Sequence, residues 1–187
     1  MAAPVESEPE YLLPAHKGPW TLDDVLALPE DHSQRIELVD GALIVSPLGT
    51  VRHQRLIGRV MVALSLACPA EFEATVEMNV RLSGSRMLIP DLTVMRPGAG
   101  GLMLPAEDLL LAGEILSPST RVNDLVVKRQ LYAEAGVPYY LMVDPEEPVV
   151  AVTLLELQGT EYVEIATSRD GVLTIERPFP VTIALSV

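Results

Sequence analysis

Glu114-Ile115-Leu116-Ser117-Pro118-Ser119-Thr120 reads as a short strand, Glu114 to Ser117, that runs out at a proline. Cap-type residues between Ser119 and Asn123 open a helix, and Gly136 is its natural stop. Tyr139-Tyr140-Leu141-Met142-Val143 follows as a buried strand closed by Asp144-Pro145. A strand, a helix and a strand in this order fit a sheet with a helix laid upon it.

Working upstream, Glu71 to Leu82 alternates. Phe72, Ala74, Val76, Met78, Val80 and Leu82 face one way, with Glu73, Thr75, Glu77, Asn79 and Arg81 on a solvated face. A second strand is expected from about Met87 to Met95. Arg96 to Gly113, with its prolines and glycines, reads as a long connection carrying a helical turn near Ala106 to Leu110. Leu56, Ile57, Val60, Met61 and Leu64 predict a helix from Val51 to Ala67 whose arginines Arg52, Arg55 and Arg59 share one face. Asp40-Gly41, between apolar runs, turns a hairpin over Arg35 to Ser46. Thr21, followed by Asp23 and Asp24, caps a short helix ending near Pro29. Strands near Val149–Leu157, Tyr162–Ala166, Val172–Glu176 and Val181–Leu185 complete the chain. The fold class is thus α/β (α+β): a mixed sheet flanked by helices, with an N-terminal β-hairpin and a β-rich C-terminal tail.

With 187 residues and 49% apolar content, the chain has enough material for one well-filled core. Residues 1–19 are acidic and carry Pro4, Pro9, Pro14 and Pro19, which reads as a flexible tail ahead of a single domain over 20–187. That start lacks the basic and apolar pattern of a secretory leader. Cys68 is the sole cysteine, so no intramolecular disulfide forms, which fits a cytoplasmic protein. The net charge of −13 argues against a non-specific coat for nucleic acid. Its distribution is uneven: residues 1–34 carry −6, residues 35–129 are neutral, and residues 130–187 carry −7. A local phosphate site in the middle segment is compatible with that balance.

The middle segment holds Asp91, just after Pro90, and Glu114, each beside apolar residues, then Asp124 and Lys128 four apart on one helix face. Only two lysines occur in the chain, Lys17 and Lys128, against eleven arginines. Lysine is a compact charge able to lose its proton when desolvated, which arginine is not. Two carboxylates, with the Ile115 carbonyl as a third oxygen, suit Mg2+ or Mn2+ and leave room for water as the nucleophile. A nearby ammonium would orient or deprotonate that water and offset charge building on phosphate. The bland readings are a turn residue for Asp91, a solvated edge-strand acid for Glu114 and a surface pair for Asp124 and Lys128. Glu37 and His53 are outer candidates. Arg52, Arg55 and Arg59 are a candidate nucleic-acid contact, set against the plainer reading of an amphipathic helix's wet face.

In these residues the chain resembles the bacterial "putative restriction endonuclease" family of Uma-two type, within the PD-(D/E)xK nuclease superfamily. The matching pieces run in order: Ile36-Glu37-Leu38-Val39-Asp40-Gly41, His53 opening a helix, Pro90-Asp91, and Glu114 through Thr120. Asp124, Lys128 and Tyr132 follow at four-residue steps, and Gly136 through Pro145 closes the set. The resemblance implies a restriction-endonuclease-like core with Asp91 and Glu114 as metal ligands. The superfamily usually sets a lysine two residues after that glutamate. Leu116 stands there, and Lys128 on the following helix takes its place. Gly113 stands where a β-branched residue is expected, which would loosen the strand carrying Glu114.

The leading expectation is a Mg2+-dependent endonuclease acting on DNA, working as a homodimer, with Asp91, Glu114 and Lys128 at its centre. The rival is a catalytically silent nuclease fold used for protein binding or assembly. A third reading is an enzyme of small phosphorylated metabolites, which tolerates the negative charge better.

Overall fold

Glu77 interrupts the alternation that spans Glu71 to Leu82. Its φ of 53° lies in the left-handed region, which a side chain other than glycine enters only where its surroundings hold it. The chain turns there, and the expected strand becomes two in the computed structural model, which describes residues 13–29, 34–98, 101–118, 121–145 and 149–185.

In chain order, α1 (Leu22–Leu26) is opened by a capping box in which Thr21 and Asp24 serve each other's backbone N–H. The hairpin forms as expected from β1 (Gln34–Val39) and β2 (Ala42–Pro47). Asp40 at φ 50° and Gly41 at φ 88° give the paired positive dihedrals that a two-residue turn of this twist needs. The helix α2 (Val51–Ala67) has the predicted limits and is capped by Thr50, whose hydroxyl accepts from the His53 N–H. Next come β3 (Glu73–Val76) and β4 (Val80–Ser83), the two halves of the broken alternation. The expected strand from Met87 to Met95 also divides, into β5 (Arg86–Leu88) and β6 (Leu92–Met95). Pro90, which has no N–H to give a ladder, sits at the break.

The connection expected from Arg96 to Gly113 is shorter than read. After β7 (Leu104–Pro105) and a single 3-10 turn at Ala106–Asp108, β8 (Leu109–Ile115) begins five residues ahead of Glu114. Its leucines form an uninterrupted apolar run because the strand is covered on both faces, so period-two alternation is absent. The helical segment starts by Arg121 and is π-helical over Asn123–Lys128 before continuing as α3 (Arg129–Glu134). The cap candidates Ser119 and Thr120 lie outside the described residues, as do residues 1–12 of the expected tail. Gly136, at φ 75°, ends the helix as expected. The tail strands β9 (Tyr139–Asp144), β10 (Ala151–Gln158), β11 (Glu161–Thr167), β12 (Val172–Ile175) and β13 (Val181–Ala184) fall where the sequence puts them.

Among the described residues three sheets form, in the orders β2-β1-β5-β4-β7, β11-β10-β9-β8-β6-β3 and β12-β13. β8 and β9 run parallel, joined by the helical segment between them, and β4 runs parallel to β7. The hairpin and β10 pairings are antiparallel, which makes the architecture mixed. One core lies where α2 sets Leu56, Ile57, Val60 and Leu64 against the six-stranded sheet and β13. Each such side chain, fully buried, contributes roughly 1.5–3 kcal/mol. A second core gathers Val80, Leu88, Leu109, Tyr132 and Tyr140, joining the five-stranded sheet and α3 to the six-stranded one. Among the described residues no helix is long and apolar enough to cross a membrane.

Gly113, expected to loosen β8, stands at a closely packed point of that strand. A Cβ there would sit 3.0 Å from the Leu92 Cβ and 3.7 Å from the Leu141 Cβ, on the two flanking strands. Gly113→Val is therefore expected to lower the unfolding free energy by about 1–3 kcal/mol, read as a shift in the urea midpoint. An unchanged midpoint would show that the neighbouring strands yield freely.

Candidate active site

Strand period fixes the first part of the site. Arg35 and Glu37 are two apart on β1, so both side chains leave the same face. Asp91 immediately precedes β6, Glu114 sits near the C-terminal end of β8, and His53 is in the first turn of α2. Asp124 and Lys128 come from the π-helical stretch. All of these line one cleft of about 490 Å³, together with Ile44, Pro118 and Pro145 at its apolar parts.

Lys128 is the centre of one group. Its Nζ lies 3.0 Å from Glu114 Oε1, 3.0 Å from Glu37 Oε1 and 3.5 Å from Asp124 Oδ1. The Tyr132 hydroxyl donates to the same Glu114 oxygen at 3.2 Å, and the Ile89 N–H donates to Glu37 Oε1 at 2.7 Å. From β9, the Tyr140 hydroxyl donates to the Asp124 main-chain carbonyl at 2.9 Å and ties the π-helical turn to the sheet. Asp91 is the centre of an adjoining group. The Ile115 N–H donates to its Oδ2 at 2.7 Å, His53 Nε2 lies 3.1 Å from that oxygen, and Arg35 donates to Oδ1. The second arm of the Arg35 guanidinium holds Glu77, which also accepts from Gln54.

Glu37, Asp91, Glu114, Asp124 and Lys128 are each between 2 and 5% exposed. The solvated readings of Glu114 and of the Asp124–Lys128 pair therefore give way to a buried cluster. Glu114 stands on a strand flanked by β6 and β9, not on a sheet edge. Burial pushes its carboxyl well above the usual carboxylate range; Lys128 pulls it down, while Asp91, Asp124 and Glu37 push it up again. For Lys128, burial disfavours the charge, but Glu114, Glu37 and Asp124 outweigh it and hold the ammonium protonated. Burial alone would raise the Asp91 carboxyl; the contacts with His53, Arg35 and the Ile115 N–H bring it below its ordinary value. Burial and the Glu114 charge raise the Tyr132 hydroxyl, so it remains a donor.

The sequence reading does not single out Arg35, and it puts Glu77 on a solvated strand face, where the structure instead pairs it with Arg35. The period-two relation of Arg35 to Glu37 was the available signal. The Arg52, Arg55 and Arg59 row is exposed along α2; Arg52 alone lines the cleft, where it donates to the Pro145 carbonyl. His53 Nδ1 is buried and makes no hydrogen bond, and its ring lies against Gly49, where a Cβ would come 2.8 Å from the ring Cγ. Gly49 thus lets the imidazole reach Asp91.

The donor chemistry suits a hard dication. Asp91, just ahead of β6, and Glu114, on the neighbouring β8, both line the cleft, and the Ile115 N–H holds one Asp91 oxygen. Among the described residues no three His, Cys, Asp or Glu side chains gather as a metal cluster on their own. Lys128 and Arg35 stand between the acids instead. Magnesium commonly takes one or two carboxylates and keeps waters, so two ligands fit its habit.

Because folding raises the Glu114 pKa above its ordinary 4.5, the folded protein holds that proton more tightly than the unfolded chain does. Its ionised form costs stability at neutral pH, and the cost fades as pH falls toward the unfolded value. Glu114→Gln removes this slope. The variant's urea midpoint, relative to wild type, should be more favourable at about pH 8 than at about pH 5. An equal difference at both would mean that Lys128 fully compensates the charge.

Residues 22–187 match the Uma2 family model, described as "Putative restriction endonuclease". A crystal structure described as a "putative nuclease belonging to DUF820" from Anabaena variabilis superposes with a TM-score of 0.67 at 20% identity, covering 86% of this chain and 90% of that one. Identity at that level speaks for the fold. No protein of curated function matches. The mixed α+β core is accordingly a nuclease-like fold, and with nearly its whole described length matched, this chain belongs to the Uma2 "Putative restriction endonuclease" family.

Proposed function

We propose that the protein is a Mg2+- or Mn2+-dependent endonuclease that hydrolyses phosphodiester bonds in DNA. One observation carries this reading. Four buried carboxylates, Glu37, Asp91, Glu114 and Asp124, crowd around Lys128 and Arg35, so that acids outnumber these two permanent cations. Buried charge of one sign is costly unless it is balanced, and a dication would balance it. Family membership adds the reaction class.

In this reading Asp91 and Glu114 hold the cation, with the Ile115 carbonyl as a main-chain ligand. The bound ion supplies Lewis-acid charge and acidifies water. His53 and the Ile115 N–H hold the Asp91 carboxylate in one orientation. Lys128, kept protonated by its three carboxylates, serves as a fixed positive charge that orients water and opposes negative charge building on phosphate, not as a base. Glu37 and Asp124 hold that ammonium in place. Arg55 and Arg59, on the exposed face of α2, reach toward the backbone of a DNA strand beyond the cleft, with Arg52 at its rim. A homodimer would give a duplex cutter its second site.

Plasmid cleavage with Mg2+ or Mn2+ tests the reading. Asp91→Ala and Lys128→Ala should each lose roughly 100-fold or more of the wild-type rate. Equal rates in all three proteins would place the activity elsewhere. Reversing Arg55 and Arg59 to glutamate should weaken DNA binding across sequences and flatten its salt dependence, by about one unit of slope per lost contact. An unchanged slope would leave the arginines as a solvated face.

A second reading is favoured by Lys128 itself, whose single ammonium already meets both Glu114 and Glu37 without any metal. A silent protein that keeps the cluster as a structural ion network for binding or assembly would look the same. Calorimetry separates the two: Mn2+ binding that Glu114→Gln abolishes belongs to the nuclease, and no binding at all belongs to the silent fold.

A further inference from the structure

We infer that Arg35 occupies the metal-facing oxygen of Asp91 as a counter-cation and, once released from it, becomes the ligand of the scissile phosphate. This rests on the metal-dependent reading above and adds to it a residue with two successive partners. The two oxygens of Asp91 are held differently. Oδ2 is engaged by the Ile115 N–H at 2.7 Å and by His53 at 3.1 Å, one a main-chain group in β8 and the other a ring wedged against Gly49. Neither can move far. Oδ1 is engaged by the Arg35 guanidinium, the end of a long side chain with many rotamers. Any cation that takes Asp91 from the cleft must therefore take Oδ1, and two cations on one oxygen repel.

Arg35 has somewhere to go. Its other arm already holds Glu77, whose side chain is 39% exposed against 2% for Asp91, so this second anchor lies on the outer side of the cleft. Glu77 is kept there by a backbone at φ 53° and by a contact from Gln54. Released from Oδ1, the guanidinium stays tethered in the cleft wall beside Asp91, with N–H groups newly free. The planar fork of arginine matches two phosphate oxygens, a geometry that lysine cannot copy. The ligand class is a phosphodiester, bound only after Asp91 has exchanged its partner.

Calorimetric titration with Mn2+ alone, beside cleavage of a phosphodiester substrate, tests this. Arg35→Met should bind Mn2+ about tenfold more tightly than wild type, because the competing cation is gone, and should cleave at least about 100-fold more slowly. Arg35→Lys keeps the positive charge that buried Asp91 needs for folding. It should bind Mn2+ within about threefold of wild type yet still lose about tenfold or more in cleavage rate. Wild-type cleavage by the Arg35→Lys protein would overturn the phosphate role. Equal Mn2+ affinity in wild type and Arg35→Met would overturn the competition while leaving the metal reading intact. Mn2+ binding by neither protein would overturn both together.

Discussion

A single ammonium, set among three carboxylates and shielded from water, is the constraint around which this molecule is arranged. Lys128 meets Glu114 and Glu37 at 3.0 Å and Asp124 at 3.5 Å, with its side chain almost wholly buried. Each partner comes from a different part of the chain: the hairpin, the β8 strand and the helix itself. Breaking such a buried pair on one side costs roughly 3–5 kcal/mol, because it strands the remaining charge. The hairpin, the central sheet and the π-helical segment are therefore locked to one another through the site.

The local irregularities of the fold cluster at the same place. The segment that carries Asp124 and Lys128 is π-helical, a widened turn seen often at functional sites, and the Tyr140 hydroxyl pins its main chain to β9. Pro90 breaks the strand that would otherwise run through Asp91, and Glu77 takes up a left-handed conformation to end β3. Gly113 and Gly49 lack side chains where Leu92 and His53 need the room. Of the residues at these points, Asp91, Asp124 and Lys128 line the cleft, and Glu77 anchors Arg35 at its outer side. Strain held at such points is stabilised by the two apolar cores on either side of the central sheet.

Much of the framework was legible because it depends on local pattern. Asp40-Gly41 names its own turn, the α2 periodicity places that helix, and Gly136 marks where α3 must stop. The tail strands from Val149 onward follow from alternation and short apolar runs. The misreadings share a cause as well. Leu109 to Gly113 looks like a connection because a strand covered on both faces has no alternation to show. The stretches around Glu77 and Pro90 look continuous because side-chain order alone does not reveal that the chain leaves one sheet for another.

By itself the sequence determined the kind of fold, its hairpin and helices, and the candidacy of Asp91, Glu114 and Lys128, since propensity, periodicity and ordered motifs are written in neighbouring residues. Tertiary structure alone decided that the Asp124–Lys128 pair is buried, that Glu37 joins it, and that Arg35 bridges Asp91 and Glu77 across 56 and 42 positions of chain. Electrostatic partnership acts through space and depends on desolvation. Which charges face each other away from water is fixed only when distant segments close over them.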